Sequence, residues 1–296
     1  MTITERVLNI PFVRRNNVLR TFVTAAWLGW QIESNWADPM LFAIYSIARP
    51  IASVLILVVM YSVITNGATQ EPIFAYIYLG NALYILVGQV VSGVSWTVIS
   101  DREQYRTIRQ LYTTPMDGYF YLIGRGVARL LIGLVSLVIT VGFGVIVFKL
   151  PITFQSINSP LFIVSTVLGI ISLATLGLIV GSLTMMMARH FSQIGDALAA
   201  ALYLFTGAIF PLDVLPVWLR PIGFVFPVTY WLELARRALL GSKLVAFPTF
   251  KDFTDVQLLG ILAISTAVLA AASVWVYRWS LNRAKENGFF DMETSY

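Results

Sequence analysis

Residues 211–240 read PLDVLPVWLRPIGFVFPVTYWLELARRALL. The stretch is apolar enough for a membrane, yet Pro211, Pro216, Pro221 and Pro227 interrupt it. A proline inside a helix removes a hydrogen bond and clashes with the preceding turn. Backbone groups left unpaired in that way are not tolerated facing lipid. The segment therefore reads as short helices folded back at a membrane surface and packed against protein. It stands just before the last uninterrupted apolar run of the chain, 257–280.

The rest of the composition agrees. The chain has 296 residues, 58% of them hydrophobic and 12% charged. Soluble domains carry roughly 45–50% apolar and about 25% charged residues. Disorder needs low hydrophobicity, and 20 Gly with 12 Pro are ordinary counts that exclude a fibrous chain. A polytopic, all-α membrane protein remains. The absence of cysteine excludes disulfides, thiolate metal sites and a cysteine nucleophile. The net charge of +5 would suggest nucleic acid in a soluble protein. Here it reads as arginine in short cytoplasmic loops, with no nucleic-acid partner.

Six membrane segments can be drawn, at 41–65, 73–99, 119–148, 161–187, 195–210 and 257–280, the fifth of them short. No leader with an apolar core and a small-residue cleavage site is visible. Most Lys and Arg fall on one side if the N-terminus is cytoplasmic, which with six spans places both termini inside. The expected organisation is a cytoplasmic N-terminus with an amphipathic connecting helix over 1–40, a transmembrane domain over 41–280 and a cytoplasmic tail over 281–296. Residues 12–36 mix Arg14, Arg15 and Arg20 with Phe12, Phe22, Trp27, Trp30 and Trp36. That mixture reads as a helix lying in the interface; the other reading is a cytoplasmic extension of the first span. Arg49 precedes Pro50 near the inner third of that span. It reads as an arginine snorkelling to the interface, with a charge in a substrate path as the alternative. Gly177 and Gly181 form a GxxxG pair that allows close helix approach.

The acidic residues stay out of the middle of every span. Ion-coupled transporters commonly use intramembrane carboxylates, and an intramembrane hydrolase needs paired acids, a Ser–His pair or a metal cluster. The single histidine, His190, adjoins Arg189 in a short loop. A catalytic or metal site is therefore not expected. No GxxxxGK[ST] occurs, so active transport would draw its energy from another polypeptide. The loop SDREQYRTIRQLYTTPMDG, 100–118, is rich in charge and aromatic residues. Ile108, Leu111 and Tyr112 can share one helical face, and Thr114–Pro115 ends the helix. A short helix over 101–115 could dock on a soluble partner; a solvated connector is the other reading.

This pattern resembles the type-2 ABC exporter permeases, the membrane halves of ATP-driven exporters of drugs, glycans and lipids. The amphipathic N-terminal segment and Arg49–Pro50 open the resemblance. Arg102–Glu103, Thr107–Ile108, Leu111 and Thr114–Pro115 look like the family's "RE…GTL..L..(S/T)P" coupling helix, followed by Gly124–Arg125. Gly207, Phe210–Pro211, Leu215–Pro216, Pro227, Thr229–Tyr230 and Arg236 resemble its "G..FP…LP…P.TY…R" signature at an external re-entrant hairpin, 211–240. Glu233 stands within that signature, three and four residues before Arg236 and Arg237. Such spacing offers a helical ion pair. Arg106 stands where glycine is frequent and Arg109 where an acid is frequent, which bears on the ATPase groove the loop fits.

The resemblance implies six helices per subunit in a bacterial inner (plasma) membrane and two permease subunits, a second copy or a paralogue. It also implies two ATPase subunits that hold Mg-ATP, leaving no cofactor and no catalysis in this chain. Arg102, Glu103, Tyr105, Arg106, Thr107, Arg109, Leu111, Thr114 and Pro115 would face the ATPase. A path between the second and fifth spans of the two copies would be lined by Tyr78, Asn81, Tyr84, Gln89, Tyr203 and Thr206, residues that ordinary interhelical packing explains equally well. An aromatic, uncharged path would suit an amphiphilic drug-like molecule or lipid moved outward. A polysaccharide or lipid-linked glycan is the alternative substrate, and a channel or scaffold without an ATPase the alternative class.

Overall fold

The computed structural model describes residues 16–35, 38–67, 71–108, 114, 116–152, 157–187, 193–241, 244–245 and 247–289. Those residues are helical or irregular, with no strand among them. The first helix, α1 (Asn17–Ser34), starts where the Asn16 side chain accepts from the Val18 and Leu19 amides. Then come α2 (Pro39–Ile64), α3 (Pro72–Glu103), α4 (Gly118–Val147) and α5 (Ser159–Met185). The short α6 (Ile194–Phe205) precedes a 3-10 turn at Leu212–Val214, α7 (Arg220–Val225) and α8 (Pro227–Leu240). The chain closes with α9 (Pro248–Lys251) and α10 (Asp255–Glu286), the latter opened by a capping box between Thr254 and Gln257.

Five helical stretches are long and apolar enough to cross a membrane: Ala43–Ile64, Pro72–Glu103, Gly118–Val147, Ser159–Met185 and Asp255–Glu286. Each coincides with an expected span. The fifth expected segment contains α6, which has 12 residues, short of the about 20 that a helical span needs. Large apolar side chains face outward along these helices, among them Ile56, Ile64, Val138, Ile146, Val256 and Ile264. A contiguous coat of this kind marks contact with something other than water.

The buried centre is α3. Its residues from Phe74 to Arg102 are mostly inaccessible, and it packs against α4, α5 and α6. Small residues set the closest approaches. Gly177 and Gly181 of α5 lie against Val90, Val94 and Val98 of α3, so the GxxxG pair works as a helix contact. On α1 the buried residues Thr21, Ala25 and Gly29 recur every four positions and form one stripe. That stripe meets Gly124 and Ala128 of α4. The Asp117 side chain accepts from the Tyr119 and Phe120 amides and opens α4. α8 packs on α5, α10 and α3, its Trp231 indole filling the gap left by Gly169.

Candidate functional site

Three places gather the residues that the sequence singles out. The first is the turn after α3. The helix runs on to Glu103, so the segment 101–115 enters as the end of a long helix before it breaks. The Gln104 and Tyr105 amides return to the Ser100 carbonyl, and the Thr107 amide reaches the Asp101 carbonyl at 2.8 Å. Between them Arg106 has φ of 51°, a left-handed backbone that a side chain makes costly. Arg102 is buried, donates from Nη1 to the Met187 carbonyl at 2.7 Å and pairs with Glu103 at 3.0 Å. Tyr105 is exposed, and Ile108 is buried beside Val98, Tyr121, Leu122 and Met185. Thr114 borders a groove between the start of α4 and the end of α10. Arg109, Leu111 and Pro115 lie outside the described residues.

This turn is anchored by an ion pair in which the motif reading names Arg125 but not its partner Asp101. Asp101 and Arg125 each have side chains only 2% exposed, and Nη2 of Arg125 donates to Oδ1 of Asp101 at 2.9 Å. Tyr121 Oη donates to Oδ2 at 2.8 Å. Buried charges persist only when paired and hydrogen-bonded, and this pair ties the end of α3 to α4. The signal in the sequence is an arginine set one turn or more inside an apolar run, which needs a partner.

The second place is a cavity of about 630 Å3 between α1, α2, α3, α4 and α6. Asn81, Tyr84, Gln89 and Tyr203 line it, four of the six expected path residues. Tyr203 Oη donates to Asn81 Oδ1, and Tyr84 Oη to the Ala199 carbonyl. The other two lie elsewhere. Tyr78 is fully buried and donates to the Thr140 carbonyl at 2.8 Å. Thr206 is buried and bonds the Leu202 carbonyl within its own turn. The cavity is not uncharged: Arg49, Arg129, Glu33 and Asp196 also line it. Arg129 pairs with Glu33 at 2.7 Å. Burial raises the Glu33 carboxyl above its usual range, opposed by the charges of Arg129 and Arg125. Glu33 and Arg129 come from helices remote in sequence, so no local pattern announces them.

The third place is the proline-rich stretch. Pro221 and Pro227 stand in the first turns of α7 and α8, where a missing amide and a fixed φ cost nothing. Pro211 is buried before the 3-10 turn and Pro216 is exposed after it; Leu215 is buried and Phe210 half-buried. Gly207 has φ of 75°, and its carbonyl and that of Ala208 both accept from Nη2 of Arg236, at 2.8 and 2.9 Å. The Arg236 guanidinium also lies 3.8 Å over the Tyr76 ring. Tyr230 Oη donates to the Phe224 carbonyl at 2.8 Å. Glu233 is buried and takes Arg237, at 3.0 Å, as its helical partner. Arg236 instead reaches back to stitch α8 to the end of α6.

The ABC-2 type transporter family matches residues 22–240 of the chain. Among curated proteins, the probable multidrug ABC transporter permease YbhR of Escherichia coli K12 is 25% identical over 146 residues. The same protein of Escherichia coli O157:H7 matches equally. The match spans 49% of this chain and 38% of the length of those relatives. With the family match running through the helical core from α1 to the end of α8, the chain belongs to the ABC-2 type transporter family.

Proposed function

We propose that the chain is the permease of an ATP-driven exporter, moving an amphiphilic drug-like molecule or a lipid outward while separate subunits hydrolyse Mg-ATP. The observation that carries this reading is the cavity. It draws Asn81, Tyr84 and Gln89 from α3 and Tyr203 from α6 to one polar, aromatic space on a molecule otherwise coated in apolar side chains. Such a space inside a membrane protein marks a solute path. The YbhR relatives are described as probable multidrug permeases, which suits a substrate of mixed polarity.

In this reading α6 and the segment beyond it complete a sixth membrane passage. α1 packs along the cytoplasmic end of α4, 211–240 forms an external re-entrant hairpin, and both termini are cytoplasmic in a bacterial inner membrane. Two copies, or this chain and a paralogue, enclose the path. Two ATPase subunits press on the turn around Arg102, Glu103, Tyr105, Arg106, Thr107 and Thr114, with Arg109, Leu111 and Pro115 completing it. Movement there passes to α4 through Asp101 and Arg125, and so to the cavity wall at Arg129 one turn further on.

A mild-detergent pull-down of the tagged chain from its native membranes, with mass spectrometry of what accompanies it, tests the assembly. A stoichiometric protein with a phosphate-binding loop is expected. A well-folded sample with no such partner would turn the reading to a channel or scaffold.

A further inference from the structure

The cavity has an imbalance of hydrogen-bonding groups. Its buried acceptors are engaged: Glu33 Oε1 by Arg129, and Asn81 Oδ1 by Tyr203. Its donors are in surplus. Asn81 is about 5% exposed, and its Nδ2 is buried with no partner. Nε of Arg129 is buried with no partner. Arg49 lines the same space, is exposed to it, and makes no ion pair among the described residues. The one further carboxylate, Asp196, stands exposed in the first turn of α6. Buried donors without acceptors are costly, and a guanidinium lining a polar space with no carboxylate partner is free to take an anion.

From this we infer that the cavity takes amphiphiles by an anionic head group, a carboxylate or phosphate, with Arg49 as its counter-charge and the free Nε of Arg129 as a further donor. The inference rests on the cavity being the substrate path. Arg129 sits level with Gly93 of α3, its side chain filling the space a methyl there would need. Asn81 is twelve residues away along the same helix, roughly 18 Å at 1.5 Å per residue. The charged end therefore holds the head group, and Ile85, Gly88, Tyr84 and Tyr203 face the tail; the Asn81 amide lies at the far end and takes no part in holding the head group. A guanidinium binds carboxylates and phosphates alike with two parallel bonds, so either oxyanion suits Arg49. Such a group can belong to a membrane lipid or to an acid dissolved in the cytoplasm.

The test uses the full chain in nanodiscs of zwitterionic lipid, with and without its co-purified ATPase. Pyrene-labelled probes share one alkyl tail and end in a carboxylate, phosphate, hydroxyl or trimethylammonium. Binding is read by quenching of Trp96, which lines the cavity, with Trp96→Phe as the control for location. The acids are expected to bind about tenfold or more tightly than the alcohol. Arg49→Gln should erase that margin without changing the alcohol's affinity, and Arg49→Glu should favour the trimethylammonium probe. Preference for a pyrene-labelled phosphatidate built into the disc identifies a lipid source, and preference for the acid added from water a soluble one; both support the inference. Equal affinity for acid and alcohol, or an acid margin untouched by Arg49→Gln, overturns it. ATP-driven release is followed in the same discs. Selectivity without release leaves the head-group inference standing and removes the exporter reading, and release without selectivity does the reverse.

Discussion

Replacing Arg125 with Met should cost more stability than replacing Arg125 and Asp101 together. At 2.9 Å, two unit charges attract by about 6 kcal/mol at an effective dielectric of about 20. Both side chains are nearly inaccessible, and dehydrating them costs several kcal/mol per ion, so the intact pair nets little. Arg125→Met removes the attraction but leaves the Asp101 carboxylate buried, held by Tyr121 alone. A loss of about 3–5 kcal/mol follows. In Asp101→Asn/Arg125→Met no charge is stranded, and the loss should fall to about 1–2 kcal/mol. Equilibrium unfolding of the purified chain in mixed micelles, titrated with dodecyl sulfate and read by tryptophan fluorescence, measures Arg125→Met, Asp101→Asn and the double variant. If the single variant costs under about 1 kcal/mol, or the double variant costs the sum of both singles, the two groups are not a coupled buried pair and the reasoning is refuted.

Other outcomes follow from the same packing. Arg236→Lys keeps the charge but loses the flat contact with Tyr76 and one of the carbonyl bonds. It should destabilise by about 1–2 kcal/mol in the same titration. Arg106→Gly relieves the left-handed backbone and should stabilise by about 1 kcal/mol; no gain would show that Arg106 is held there by compensating contacts. Glu33 is raised by burial, so the folded chain holds its proton more tightly than the unfolded chain. Its contribution to stability is present at low pH and is lost as pH rises through the raised value. As pH rises from the ordinary carboxylate value of 4.5, the unfolding midpoint should therefore fall more in the natural chain than in Glu33→Gln. Parallel curves would contradict this.

What the sequence made legible is what depends on local pattern. The long apolar runs gave the five long helices, because only continuous backbone pairing is stable in lipid. The prolines marked helix starts at 221 and 227 for the reason that they exclude helix interiors. Glu233 and Arg237 meet at helical spacing. Partner choice over long separations was not legible. Nothing near Arg236 in the sequence points to the carbonyls of Gly207 and Ala208 across the hairpin, and the spacing offered Glu233 equally. The same holds for the cavity. Asn81, Tyr84, Gln89 and Tyr203 could be chosen as polar residues on apolar helices, but Tyr78 and Thr206 satisfy the same description and turn into the packing. Arg129 falls inside the third expected span and Glu33 inside the N-terminal helix, and nothing local names either as the other's partner; they meet because α1 lies along α4 by its stripe of small residues.

The central claim is that this chain carries solute at the expense of ATP hydrolysed elsewhere. The most direct measurement uses proteoliposomes containing the chain with its co-purified ATPase, nucleotide side outward, and a fluorescent amphiphile added outside. ATP in the medium should drive the amphiphile into the lumen, and a non-hydrolysable analogue should not. Entry at the same rate with ATP, with the analogue and with neither would contradict the account.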